Sequence, residues 1–326
     1  MKETLMTVAV PTKRRKRRHD GAAFDRAALA ALYQHRLATS GQLYELLGPF
    51  TSGEEESEQE DHNFPAARMR KLRDDGLVDH ATRYFPGRTR IWFLTEAGRA
   101  LAGSFPELLD RVSPPQSMTD TGAQLLAPHT LDVLRTHLAF LRDARRRGDE
   151  YGPLDWAPEV FHRLSDRSAD AIRADALMRY TVHSPEGRAH LRAFVELDRS
   201  TMSSEKLSSK LTSYARYFEY TPVPLHLRGT TEAQGALPAW QDFYPRFPRV
   251  LFVLTPGSER TSETTLRNRI EDLQVAAADS PRVVNFLRHV PAGAATLQDI
   301  EAHGATGKVW SSLADPDRPA CGWTEL

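Results

Sequence analysis

Asp175, Glu196 and Asp198 are carboxylates whose spacing suits phosphate chemistry if the two segments that carry them pair as strands. Arg173–Thr181 and His190–Asp198 alternate apolar and polar residues and flank His183-Ser184-Pro185-Glu186-Gly187, a turn-forming stretch. A hairpin centred between Pro185 and Glu186 sets Asp175 directly opposite Glu196, and Asp198, two residues on, shares their face. Opposed carboxylates about 5 Å apart at Cβ repel, so the arrangement calls for a cation. Hard oxygen ligands suit Mg²⁺ or Mn²⁺, which can hold a scissile phosphate, lower the pKa of an attacking water and stabilise the leaving oxygen. The expected metal ligands are therefore Asp175, Glu196 and Asp198. A second source of positive charge follows in a helix expected over about Ser203–Tyr220, which buries Leu207, Leu211, Tyr214 and Phe218 and carries Lys206 and Lys210 on a neighbouring stripe. With 7 lysines in the chain against 36 arginines, two in one helical turn stand out. They complete the candidate catalytic set, although a solvated helix face is the plainer reading of both.

The surrounding pattern supplies a scaffold for this hairpin. A helix is expected from about Thr130 to Arg147, with Leu131, Leu134, His137, Leu138 and Leu141 on its buried side and His137 as a core histidine rather than a ligand. Leu154–His162 reads as an edge strand, Val250–Leu254 as a buried strand, Glu263–Ala277 as a crossover helix and Val283–Leu287 as a further strand, with an irregular end from His303. Thr255-Pro256-Gly257-Ser258 lacks the glycine pattern and the Lys-Ser/Thr ending of a phosphate loop and reads as a turn.

The first hundred residues carry a different order. A helix opens at Phe24-Asp25 and ends near Leu37, Ser40 is placed to cap a second over Gly41–Leu47, and Gly48 stops it. A third begins at Asn63-Phe64-Pro65, with Met69 and Leu72 inward and Arg68, Arg70 and Lys71 available to solvent, and Gly76 closes it. Strands on either side of Pro86-Gly87 follow, with Arg83, Arg88 and Arg90 around the tip. Helix, helix, basic helix and hairpin resemble a winged helix-turn-helix domain, which implies binding of double-stranded DNA. In that reading Arg68 and Lys71 face the major groove, where arginine reads guanine, Arg70 joins them among the DNA-binding residues, and the arginines of the hairpin reach phosphate or the minor groove. Lys13, Arg14, Arg15, Lys16, Arg17 and Arg18 form a basic run suited to phosphate tracking. Glu54, Glu55, Glu56, Glu58, Glu60 and Asp61 form an acidic one that could mimic DNA against it.

Composition narrows the classes. A chain of 326 residues with 40% hydrophobic content is long enough for two domains. No apolar stretch is long enough to span a membrane and no secretion signal is evident, so a cytoplasmic protein without a membrane partner is expected. One cysteine and no clustered histidines argue against zinc and against a disulfide framework. The expected fold is α+β in two domains. Residues 1–21 form a basic arm, 22–103 a winged helix-turn-helix domain with an acidic insertion at 51–61, 104–128 a linker, and 129–326 an α/β restriction-endonuclease-like domain with a mixed central sheet. Arg173-Ala174-Asp175 followed by Glu196-Leu197-Asp198 resembles the PD-(D/E)xK nuclease superfamily, except that aspartate stands where its lysine is expected. Together with Phe194-Val195-Glu196-Leu197-Asp198-Arg199-Ser200-Thr201, Lys210-Leu211 and Tyr214, the chain resembles the replication-relaxation family of actinobacterial plasmids and other mobile elements. That resemblance implies a DNA-binding accessory factor for replication, relaxation or mobilisation. Replication or mobilisation proteins and a second copy of the chain are the candidate protein partners. A metal-dependent endonuclease or nickase and a transcriptional repressor are the alternatives.

Overall fold

The computed structural model describes residues 20–48, 63–83, 87–109, 118–165, 170–185, 187–201, 203–222 and 236–326. The basic run Lys13–Arg18 and the acidic run Glu54–Asp61 lie outside them. The chain is α+β, with a small antiparallel sheet and a mixed sheet of six strands.

In the N-terminal unit, α1 (Gly21–His35) starts where the Asp20 carboxylate accepts from the Ala22 and Ala23 amides at 3.1 and 3.0 Å. After the two-residue strand β1 (Ala38–Thr39), α2 (Ser40–Leu47) begins one residue earlier than expected. Thr39 rather than Ser40 is the cap, because Gln42 three residues on completes a capping box with it. Helix α3 (Asn63–Asp74) leads into the hairpin of β2 (Val78–Arg83) and β3 (Thr89–Leu94), and β1 pairs with the other edge of β3. Thr95 caps α4 (Glu96–Gly103), which crosses the hairpin so closely that a Cβ on Gly98 would lie 1.9 Å from the Leu77 carbonyl oxygen. Only glycine fits there.

Helix α5 (Asp120–Arg147) joins the two units. It begins ten residues before the expected start, inside the segment read as a linker. Thr119 caps it at the Gly122 amide, and Pro128, which reads as a breaker in sequence, is carried within the helix. Its first half packs Ala123, Ala127 and Leu131 on Leu37 and on Ala81, Ile91 and Phe93 of the small sheet. Its second half joins a core that runs without interruption from Phe24, Leu32 and Trp92 to Trp156, Val195, Trp310 and Trp323. His137 sits fully buried in that core, stacked on Trp156 with ring centroids 5.2 Å apart.

The six-stranded sheet runs β4 (Trp156–Arg163), β5 (Ala171–Ser184), β6 (Gly187–Asp198), β7 (Arg249–Leu254), β8 (Ala292–Thr296), β9 (Ser311–Ser312) in spatial order. β6, β7 and β8 are parallel and the other pairings antiparallel. Crossovers through α6 (Ser204–Glu219) and through α7 (Glu263–Asp279) with α8 (Pro281–Leu287) cover the face opposite α5. The strand expected at Val283–Leu287 is therefore a helix. Ser280 accepts from the Val283 amide at 3.4 Å and Pro281 occupies the first turn, a start signal that outweighs the β-branched Val283-Val284. The small-residue segment Ala292–Thr296 takes the strand position instead, and α9 (Leu297–His303) follows it.

Behind the hairpin of β5 and β6, His162 is 6% exposed, stacks on Tyr217 and lies 2.7 Å from the Tyr244 hydroxyl. Burial lowers its pKa to about 4. Because the folded value lies below the unfolded one near 6.5, the unfolded chain binds the proton first as the pH falls. The contribution is intact above about 6.5 and is lost toward 4, by about 3 kcal/mol in all. Denaturant titrations at pH 7 and pH 4.5 are expected to show this loss in the wild type and a clearly smaller one in His162→Gln. An equal loss in both proteins contradicts the assignment.

Candidate functional site

The hairpin register comes out as the turn position requires, with Ala176 opposite Val195 and Leu177 opposite Phe194. One step further, the ladder gives way to a side chain. The Leu197 amide donates to Asp175 Oδ2 at 2.8 Å, which fixes Asp175 beside Glu196. Glu196 is 1% exposed, and α6 supplies both of its partners. Lys210 Nζ bonds Glu196 Oε2 and lies 3.6 Å from Asp175 Oδ2, while the Tyr214 hydroxyl donates to Glu196 Oε1 at 2.6 Å. Lys210 and Tyr214 are one helical turn apart, and Leu207 and Leu211 of the same helix anchor it in the core. From the other side of the site, half-exposed His129 of α5 brings Nε2 to 3.3 Å from Asp175 Oδ1.

Electrostatics follow from this closure. Burial pushes Glu196 up to about 7 against the opposing pull of Lys210. Asp175 is also disfavoured by burial, but the His129 hydrogen bond and the Lys210 charge win and hold it below its ordinary value. Burial works against the Lys210 ammonium, and the two carboxylates outweigh it and raise its pKa.

The two other expected members stand apart. Asp198 lies on the same strand as Glu196, but its Oδ2 takes Arg269 Nε of α7 at 2.7 Å and its Oδ1 takes the Ser200 amide at 3.0 Å. Lys206 is exposed on α6. Each of the four oxygens of Asp175 and Glu196 already faces a protein donor, so a divalent ion does not fit this donor set without displacing Lys210. Among the described residues, no group of three His, Cys, Asp or Glu side chains able to hold a metal ion occurs. Thr255-Pro256-Gly257-Ser258 leaves β7 and bends past the end of β6, where a Cβ on Gly257 would lie 2.2 Å from the Arg199 carbonyl oxygen; the hydrogen-bonded turn follows at Ser258–Thr261.

In the N-terminal unit, the basic residues of α3 divide. Arg68 turns back to α1, with Nε 2.9 Å from Asp25 Oδ1 and a second contact to Oδ2, and that hydrogen bond raises its pKa. Lys71 pairs with Asp75 and Arg73 with Asp79. Arg70 is exposed, and among the described residues its side chain bonds only the Ala66 carbonyl, at 3.1 Å, through Nε. On the hairpin, Arg83 is partly exposed and Arg88 and Arg90 are exposed; the described residues offer none of the three a carboxylate partner.

The sequence profile described as Replication-relaxation matches residues 29–231, well over half of the chain. The chain belongs to the replication-relaxation family. Neither a curated protein nor a solved structure matches it. The family match in this replication-relaxation protein spans the hairpin of the small sheet together with His129, Asp175, Glu196, Lys210 and Tyr214, and stops before Arg269. His129 and Arg269 were missed in the sequence. Thr119-Asp120 was a usable signal for the first, since a helix started there carries residue 129 over the hairpin. Nothing local signals the second, which reaches Asp198 from another crossover.

Arg68→Met is expected to lower stability by about 1 kcal/mol, because it leaves the largely covered Asp25 without its partner. Discrimination among DNA sequences should be unchanged in that variant. Lost discrimination with unchanged stability would return Arg68 to the groove.

Proposed function

We propose that this replication-relaxation protein is a double-stranded-DNA-binding accessory factor in the replication, relaxation or mobilisation of a plasmid or other mobile element, acting in the cytoplasm. The N-terminal unit is read as a winged helix-turn-helix, with α3 as the groove helix and the hairpin of β2 and β3 as the wing. The observation that carries the reading is the set Arg70, Arg88 and Arg90, exposed and without carboxylate partners among the described residues. Arg70 then reads base edges while the two hairpin arginines neutralise backbone phosphate.

The six-stranded unit is read as a PD-(D/E)xK nuclease-like fold retained for assembly or DNA contact. Lys210 contacts both Asp175 and Glu196, the residues that would hold a metal, which favours binding without cleavage. A second reading, as an endonuclease or nickase, draws support from the same lysine, since α6 supplies the cation absent from the strand motif. Replication or mobilisation proteins are the expected partners.

Footprinting on the DNA that adjoins the gene tests the leading reading. Protection at an origin or transfer region is expected. Protection confined to a promoter would favour a repressor, and none at all would remove the reading.

A further inference from the structure

The long hairpin of β5 and β6 carries a second feature, away from the acid–lysine site. Its register places Arg179 directly opposite Arg192. Like charges so placed are about 5 Å apart at Cβ and destabilise a ladder. Neighbouring arginines show the usual remedy: Arg188 pairs with Glu150 and Arg173 lies 3.8 Å from Glu159. Among the described residues, no carboxylate is paired with Arg179 or Arg192. Arg179 is exposed and Arg192 partly so.

Tyr244 packs on Phe194, with centroids 5.5 Å apart, and is close enough to both arginines for their charge to oppose the rise that burial imposes on its hydroxyl. In the next pair on that face, Thr181 Oγ1 lies 2.9 Å from His190 Nδ1. Arg192 is four residues from Glu196, hence on the same sheet face and about 13 Å along it, with Arg179 opposite.

We infer that Arg179 and Arg192 together bind a backbone phosphate of duplex DNA, so that the six-stranded unit holds DNA independently of the wing. The inference rests on the DNA-binding reading above. Two guanidinium forks converging on one anion give bidentate, charge-assisted hydrogen bonds, and the anion removes the repulsion that the ladder otherwise carries. A contact of this kind is blind to sequence and adds affinity without moving the footprint.

The test uses the full chain and random duplex DNA. In Arg179→Gln with Arg192→Gln, affinity is expected to fall about tenfold at low salt. The slope of log affinity against log salt should become shallower by about 1, the amount for one phosphate. On the specific site the footprint should keep its position, and the melting temperature should rise by about 1 °C as the repulsion disappears. The double lysine variant, Arg179→Lys with Arg192→Lys, keeps the charge and should keep the slope. Unchanged affinity and slope in the glutamine variant, with the wild type still binding DNA, would overturn the inference and leave the pair to an acidic protein partner. A melting temperature lower by several degrees would overturn it too, since the arginines would then serve the fold. A wild type without affinity for duplex DNA would remove the underlying reading as well.

Discussion

Lys210→Met is expected to destabilise the protein by about 3 kcal/mol at pH 8, lowering its melting temperature by about 4–5 °C. The lysine is the one cation that contacts both Asp175 and Glu196 among the described residues, and Glu196 is 1% exposed. Its removal leaves two neighbouring carboxylates with only neutral donors and the half-exposed His129. The loss should depend on pH. Glu196 already stands at about 7 with the lysine in place, so without it the carboxyl holds its proton to still higher pH. A carboxyl raised in the folded state stabilises relative to the unfolded chain while protonated, and that contribution disappears as the pH climbs through the raised value. The deficit of Lys210→Met is therefore smaller at pH 6 than at pH 8. Adding Glu196→Gln should recover much of the pH 8 loss, because the second buried charge is then gone. Equal deficits at both pH values, or no recovery in the double variant, would mean that Lys210 merely decorates α6.

The second large effect is expected on DNA. Arg88→Gln with Arg90→Gln should weaken binding to random and specific duplexes alike, by about tenfold to a hundredfold at low salt. The salt slope should become shallower by about 2 as two phosphate contacts are lost. Arg70→Gln should behave differently, lowering the preference for the specific site by about tenfold or more while leaving the salt slope nearly unchanged. Fluorescence anisotropy over a range of salt concentrations separates the two. A uniform loss in all variants would mean that α3 does not read bases.

Much of the site was legible because strand periodicity and a well-marked turn settle a register. Once Pro185-Glu186 is the turn, Asp175 must meet Glu196, and the repulsion between them asks for a cation that the scarcity of lysine narrows to Lys206 or Lys210. Helical spacing cannot choose between these two, since both lie on the same stripe; the depth at which α6 packs does. Alternation also puts Asp198 on the right face, but its partner Arg269 comes from a crossover that no local pattern ties to β6. The same limit applies to Arg68, whose helical position says nothing of Asp25 on α1. Two local signals were misread. Pro128 hid the first turns of α5, and Val283-Val284 outweighed Ser280-Pro281, although the latter pair is a start for a helix.

A supercoiled plasmid carrying the adjoining DNA, incubated with the full chain and Mg²⁺ or Mn²⁺, tests binding without cleavage in one reaction. Gels run before and after removal of the protein report binding and strand integrity separately. The expected result is a retarded complex that returns intact, supercoiled plasmid once the protein is stripped away. Open-circular or linear product that disappears in Asp175→Asn would contradict it and make the acid–lysine site a nuclease centre.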